Sequence, residues 1–391
     1  MSGIGQYGRQ FLDEADRQAV LEVLQGDFLT QGPWVPRFEE ALCGVTGAKH
    51  AVAVSSGTAA LHIAALAAGL QAGKASVTAA VTFVASANAA LYCGAQSLLA
   101  DIDPATGCLD PGSLAHVVKQ NDAAASVVPV HLCGLSVGMR EIRAVAGRRV
   151  VIEDACHALG ALDEDGQPVG SCRHSDMAAF SFHPVKSITT GEGGAITTND
   201  DELARMLRSL RNHGLERDAR YFQTSDESDG FGPRPWYYEQ QVLGFNYRMT
   251  DLQAALGCSQ LGKLPAMIER RRALVRRYNE RLAGIGSIVR LHSDEQHARS
   301  ANHLYVVLID FDRLDISRGM LMQKLREAGV GSQVHYIPVY RQPFHRDGGS
   351  PEQFPASENY YRRCLTLPLH VGLTESEVDE VVERLVELCG L

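Results

Sequence analysis

A lysine, an aspartate and a serine-glycine-threonine turn carry most of the chemistry legible in this chain. Lys186 closes the run Ser181-Phe182-His183-Pro184-Val185-Lys186, and Gly191-Glu192-Gly193-Gly194 follows shortly after. Apolar, strand-like runs lie on both sides, at 177–180 and 195–198. A lysine on a tight link between two buried strands has little access to bulk water. Burial disfavours the ammonium, so the amine becomes a better nucleophile and forms a Schiff base more readily. Upstream, Glu153 and Asp154 end another apolar run, Val150-Val151-Ile152. A carboxylate at a strand end supplies an anion. An amine and an anion so placed are what pyridoxal phosphate requires, the first for its aldehyde and the second for its ring nitrogen. Taken alone, Lys186 reads as readily as a lysine snorkelling from a hairpin.

The neighbouring signals point the same way. Ser56-Gly57-Thr58 follows a strand-like run and opens a helical one, and such a turn offers free N–H groups to a phosphate. Plain helix capping is the commoner use of this pattern. Ser181 can add a hydroxyl to the same phosphate. Phe83 follows another apolar-to-loop transition and can stack on a planar ring, although an aromatic there more often packs in a core. Asp154 paired with a pyridinium nitrogen keeps the ring protonated, so the ring can draw electrons.

The elements that must position these groups follow from hydrophobic period. Residues 13–25 read as a helix capped by Asp13 and stopped by Gly26. Strands are expected at 51–54, 127–131 and 150–153, and helices at 58–69 and 139–146. Alternating short apolar runs and helical patterns predict an α/β fold with a mainly parallel sheet that extends to about residue 198. From residue 250 the texture changes. A long helix is expected over 251–281, kinked or divided at Pro265. A strand at 303–309 and helices at 317–328 and 374–388 follow. This predicts a large domain over 12–250 and a smaller α+β domain over 251–391, with 1–11 packing near the latter. Residues 224–235 read as a flexible surface insertion.

Bulk numbers exclude several classes. The chain has 391 residues, 45% hydrophobic and 21% charged, with a formal net charge of -9. That balance argues against a general nucleic-acid binder or a polybasic membrane surface. Nine scattered cysteines without a C-x-x-C pair suggest a reduced, cytoplasmic protein with neither disulfide framework nor metal site. Neither a signal peptide nor a membrane span is expected. Gly3-Ile4-Gly5-Gln6-Tyr7-Gly8 matches a dinucleotide fingerprint but lacks a preceding strand. Gly134-Leu135-Ser136-Val137-Gly138 matches a hydrolase nucleophile elbow in a strand-turn-helix context, so a serine hydrolase using Ser136 is the rival from another class. It leaves the surroundings of Lys186 unexplained.

These motifs together resemble the DegT/DnrJ/EryC1/StrS sugar-nucleotide aminotransferases, of the aspartate-aminotransferase fold, over nearly the whole chain. The resemblance is carried by Gly32-Pro33, Ser56-Gly57-Thr58-Ala59-Ala60-Leu61, Thr82-Phe83-Val84-Ala85-Ser86, Glu153-Asp154-Ala155-Cys156-His157-Ala158, the Lys186 segment, and Gly244-Phe245-Asn246-Tyr247-Arg248-Met249. It implies that Lys186 bonds pyridoxal phosphate, that Asp154 holds the ring nitrogen, and that Phe83 stacks on the ring with His157 near its substituents. Ser56, Gly57, Thr58 and Ser181 would hold the phosphate. Asn246 would reach it from a neighbouring subunit, making a homodimer with shared sites, and Arg248 would bind the donor's carboxylate or the sugar nucleotide.

Likeness is greatest to the branch serving pseudaminic-acid biosynthesis, on Asp27-Phe28-Leu29-Thr30-Gln31-Gly32, Ile188-Thr189-Thr190, Trp236-Tyr237-Tyr238-Glu239 and Gln333-Val334-His335-Tyr336. This implies amino transfer from L-glutamate, through pyridoxamine phosphate, to C4 of a UDP-linked 4-keto-6-deoxy-2-acetamido-hexose of L-arabino configuration. Another nucleotide-linked 4-keto sugar is the alternative. Tyr7, Asp27, Phe28, Leu29, Thr30, Gln333, Val334, His335 and Tyr336 would face the sugar nucleotide, the loop 27–30 and the segment 333–336 meeting over the cofactor. The related sugar dehydratases carry histidine where Lys186 stands, so Lys186 argues against them. A non-catalytic homologue would not need the whole cofactor constellation. Val81, where relatives usually carry a polar residue, and Ala75-Ser76-Val77 depart from the pattern near Phe83.

Overall fold

The computed structural model describes residues 3–224 and 235–391. Seven strands form its central sheet: β1 (His50–Val54), β2 (Ala75–Ala79), β3 (Gln96–Ala100), β4 (Ala124–Val128), β5 (Val150–Asp154), β6 (Met177–Ser181) and β7 (Gly194–Thr198). Their order is β1-β7-β6-β5-β4-β2-β3. The neighbours from β6 across to β3 pair in parallel, whereas β7 runs antiparallel to both β1 and β6. All five residues of β2 and of β7 are buried. Burial of both faces is the pattern of a parallel sheet under helices, and here it takes in the polar Ser76, Thr78, Thr197 and Thr198. The fold is the α/β arrangement that the sequence predicts.

Helices α1 (Glu14–Gln25), α2 (Trp34–Thr46), α3 (Gly57–Ala67), α4 (Val84–Tyr92), α5 (Pro111–Gln120), α6 (Met139–Ala146) and α7 (Asp201–Arg211) accompany this sheet. Asp13 caps α1 in a capping box with Asp16, and Gly26 ends it. The strand expected at 127–131 lies at Ala124–Val128 instead. The chain beyond it leaves the ladder to hydrogen-bond the end of β5, where His131 N–H donates to the Asp154 carbonyl at 3.1 Å. β2, β3, α2, α4, α5 and α7 have no counterpart in the sequence expectations. Of these, α4 is an alanine-rich helix in the most apolar stretch, buried on Ala85, Ala87, Ala89 and Ala90.

Two-residue strands β8 (Leu215–Glu216) and β9 (Glu239–Gln240) pair antiparallel ahead of α8 (Asp251–Arg281). Pro265 lies inside α8 and the helix runs on past it undivided. The N-terminal part of α8 packs on α1 and α2. Its C-terminal part, through Leu274, Val275 and Tyr278, enters a second core with an antiparallel sheet: β10 (Ile288–Arg290), β11 (Tyr305–Ile309) and β12 (Cys364–Leu367). Helices α9 (Asp294–Arg299), α10 (Arg318–Glu327), α11 (Pro355–Arg363) and α12 (Glu375–Leu388) complete this region. Ile4 is part of the second core, so the N-terminal segment packs there. The expected insertion at 224–235 falls almost wholly on 225–234, outside the described residues. All nine cysteines are free thiols. Among the described residues no helix is long and apolar enough to cross a membrane.

Candidate active site

β1, β2, β4, β5 and β6 point the same way, so their carboxyl ends share one edge of the sheet. Loops leaving that edge carry the reactive residues, the usual place for a site in an open α/β sheet. A cavity of about 440 Å³ opens there. Tyr7, Ser56, Gly57, Thr58, Phe83, Asp154, His157, Ser181, Lys186, His335 and Tyr336 all line it. Lys186 comes from the loop between β6 and β7, which pair as expected with Ser181 opposite Gly194.

The phosphate end is built from backbone. Ser56 is the N-cap of α3 and its hydroxyl accepts from Ala59 N–H at 3.1 Å. That leaves the first amides of the helix for an anion. Gly57 is required sterically, because a Cβ there would stand 2.7 Å from Ser181 Cβ and 3.3 Å from Cys156 Sγ. Gly194 is required for the same reason, its Cβ position lying 2.7 Å from Gly57 N. The turn and Ser181 are therefore pressed into one cradle that an added methyl group would fill.

At the other end, Asp154 is 6% exposed. Its Oδ2 accepts from Ser86 Oγ at 2.6 Å and its Oδ1 from Cys156 N–H at 3.2 Å. Phe83 precedes α4 and is 56% exposed at the cavity wall, free to stack on a planar ring. Tyr336 Oη lies 3.1 Å from His157 Nε2, and His157 Nδ1 is buried without a partner among the described residues. An amine, a tethered carboxylate, an exposed aromatic face, an unpartnered imidazole nitrogen and an amide cradle fit pyridoxal phosphate.

Burial sets the charges here. It pushes Lys186 below the usual ammonium range, while Cys156 and Asp154 oppose that shift. Burial, with Lys186 adding to it, pushes His335 down to about 3. It also holds His157 well below the ordinary imidazole value and Tyr336 well above the ordinary phenol. Both histidines are therefore neutral near pH 7 and act as hydrogen-bonding groups. His335 Nδ1 is anchored 2.8 Å from Thr366 Oγ1.

Other expected site residues lie outside this cavity within the chain. Asp27, Phe28, Leu29 and Thr30 are exposed. Thr30 bridges Thr250, and the buried Asp251 carboxylate accepts from the N–H groups of Gly32 (2.6 Å) and Trp34 (2.8 Å). The loop 27–32 and the segment 246–250 are thereby one unit. Asn246 is exposed and bridges Asn212, and Arg248 donates to Asn212 Oδ1 at 2.6 Å beside a separate cavity of about 550 Å³. Gln333 accepts from the neighbouring Val334 N–H at 2.9 Å, and Val334 packs on a core cluster, so only His335 and Tyr336 of that motif reach the cavity. Thr82, Cys156, His183 and Glu192 also line the cavity, and Ser86 touches it through Asp154. Sequence reasoning gave them no role.

The hydrolase alternative finds no support. Ser136 is buried and its hydroxyl donates to the Val137 carbonyl at 3.1 Å. A buried His131–Glu153 pair at 2.8 Å lies nearby, but His131 Nδ1 is occupied by Val137 N–H. Gly3-Ile4-Gly5 forms a 3-10 turn followed by α1, not a strand-to-helix turn.

The model of the DegT/DnrJ/EryC1/StrS aminotransferase family matches residues 10–386. The spore coat polysaccharide biosynthesis protein SpsC of Bacillus subtilis is 37% identical over 98% of this chain and 96% of its own length. Helicobacter pylori PseC, an aminotransferase involved in the biosynthesis of pseudoaminic acid, superposes with a TM-score of 0.87 at 29% identity, covering 98% of each chain. The pyridoxamine phosphate form of Spr1654, a sugar aminotransferase from Streptococcus pneumoniae, gives a TM-score of 0.88 at 27% identity over 98% of each chain.

Proposed function

The chain belongs to the DegT/DnrJ/EryC1/StrS aminotransferase family, and from that premise we propose that it moves the amino group of L-glutamate to C4 of a UDP-linked 4-keto-6-deoxy-2-acetamido-hexose of L-arabino configuration. The product would be the 4-amino sugar that leads to pseudaminic acid. The family's cofactor is pyridoxal phosphate, which supplies a carbonyl carbon to take the amine and a ring to hold electrons. The observation that carries the reading is the position of Lys186 and Asp154 in one cavity with the amide cradle of Gly57 and Thr58.

In this reading each side chain has one task. Gly57, Thr58 and Ser181 would hold the phosphate, Phe83 would stack on the ring, and Asp154 would pair with the ring nitrogen. Burial keeps Lys186 Nζ ready to give up its proton, so this amine can take a proton from the donor's α-carbon in the first half-reaction and deliver a proton to the acceptor's C4 in the second. Tyr7, His335 and Tyr336 close the cavity above and offer neutral partners to sugar hydroxyl and amide groups.

Glutamate, the phosphate and the nucleotide all bring negative charge. Lys186 is the only lysine or arginine among the described residues lining the cavity. Counter-charge from a second subunit therefore suits the site. Asn246, Arg248 and the loop 27–30, held together outside their own chain's cavity, are the group we assign to the partner's site in a homodimer. The test of the chemistry is Lys186→Ala. Glutamate should bleach the yellow band of the wild type, whereas the variant should fold and bind cofactor yet no longer convert it to the amine form with glutamate. Repeated turnover by that variant would refute the assignment.

A further inference from the structure

Asp154 is tied by a two-hydroxyl relay that begins at the start of α4. Ser86 Oγ lies 2.6 Å from Asp154 Oδ2, and Thr82 Oγ1 lies 2.8 Å from Ser86 Oγ. An ionised carboxylate only accepts, so Ser86 donates to Asp154 and accepts from Thr82. Ser86 and Thr82 are each 2% exposed. A serine in a first helical turn commonly bonds locally along its own helix. This one instead reaches a residue 68 positions away. Cys156 N–H holds the other carboxylate oxygen, so neither oxygen is left to rotate freely. Lys186, Cys156 and Tyr336 are titratable groups that feel the Asp154 charge.

We propose that Ser86, held by Thr82, is a positioning residue for amino transfer: it fixes the Asp154 carboxylate and spreads its charge, so that Asp154 pairs with a cationic pyridine nitrogen without drawing off its proton. The inference rests on the reading of Asp154 given above. It also couples two functions in one element. Phe83 and Ser86 flank the start of α4, so the ring stack and the carboxylate tether move together. Without Ser86 the carboxylate concentrates its charge and pulls the ring's N–H proton toward itself. A less positive ring lets the bound chromophore keep its own titrating proton to higher pH.

The test compares the wild type with Ser86→Ala, Ser86→Thr, Thr82→Val and Asp154→Asn, each loaded with pyridoxal phosphate. The pH midpoint of the visible absorbance band and the rate of cofactor loss are read without any substrate. Ser86→Ala should raise the midpoint by about half a pH unit and speed cofactor loss, and Ser86→Thr should restore both. Thr82→Val should give a smaller shift in the same direction. Should Ser86→Ala fail to fold, Ser86→Cys, a weak donor of similar size, carries the same expectation. An unchanged midpoint in the Ser86 variants while Asp154→Asn shifts it would show that Ser86 only packs, and would overturn the proposal. If Asp154→Asn also leaves the midpoint in place, the pairing of Asp154 with the ring falls, and the role of Ser86 falls with it.

Discussion

At the scale of single residues, the site works by withholding water. Lys186, His157 and His335 are all pushed toward their neutral forms by burial. His335 in particular is depressed to about 3 against an ordinary 6.5. Its folded value is the lower one, so its contribution to stability is present above about pH 6.5 and is lost as the pH falls toward 3. In the proposed reading it serves the sugar as a neutral hydrogen-bonding group. His335→Ala should slow the sugar half-reaction far more than the glutamate half-reaction, read by stopped-flow absorbance. Neither half-reaction should show a His335 titration between pH 5 and 8. Equal damage to both would place His335 in the service of the cofactor or the fold. Lys186 and Asp154 were legible in the sequence because each ends or follows an apolar run, which marks a strand end. Ser86 was not, since what gives it meaning is a partner 68 positions away.

At the scale of elements, what the sequence displayed was period, and what it hid was pairing. Capped helices were clear: Asp13 and Gly26 bound α1, and Thr250 caps α8 in a capping box with Gln253. β2 and α4 were hidden because small polar residues, Ser76 and Thr78 in the strand and Ser86 and Asn88 in the alanine-rich helix, interrupt the apolar run and blur its period. One long-range contact does more than its sequence suggests. Asp251 is fully buried and caps α2 from the start of α8, accepting from Gly32, Trp34 and Val35. Asp251→Ala leaves those amides without their acceptor and should cost about 2 kcal/mol, checked by denaturant unfolding. It should also release the loop 27–32 from the segment 246–250. If that loop serves the sugar nucleotide, the variant's KM for the sugar should rise while its KM for glutamate holds. A neutral effect on stability would show that solvent replaces the carboxylate.

At the scale of the whole molecule, a single chain brings Lys186, Asp154 and the Ser56-Gly57-Thr58 turn to one cavity, where Lys186 is the one lysine or arginine among the described lining residues; in the proposed reading it lacks counter-charge for its substrates. The unit formed by Asn246, Arg248 and the loop 27–30 stands ready outside it. Asn246→Ala should weaken cofactor retention by about 1.5–3 kcal/mol, as for one hydrogen bond to a charged group. Mixing Asn246→Ala with Lys186→Ala subunits should create heterodimers with one intact site each, and recover activity above either parent. Activity confined to the unmixed Asn246→Ala population would count against a shared site. The central claim, that this site, with Lys186 moving the protons, transfers nitrogen from glutamate to C4 of a particular sugar nucleotide, is tested most directly by isotope transfer. The enzyme would be given ¹⁵N-labelled glutamate with a panel of UDP- and dTDP-linked 4-keto sugars, and the products read by mass spectrometry. The account predicts label at C4 of the UDP-linked 2-acetamido L-arabino sugar, ahead of every other acceptor, and none with Lys186→Ala. Label transferred preferentially to a UDP-4-keto-pentose or a dTDP-linked hexulose would contradict the substrate. Label transferred to no sugar at all would contradict the reaction.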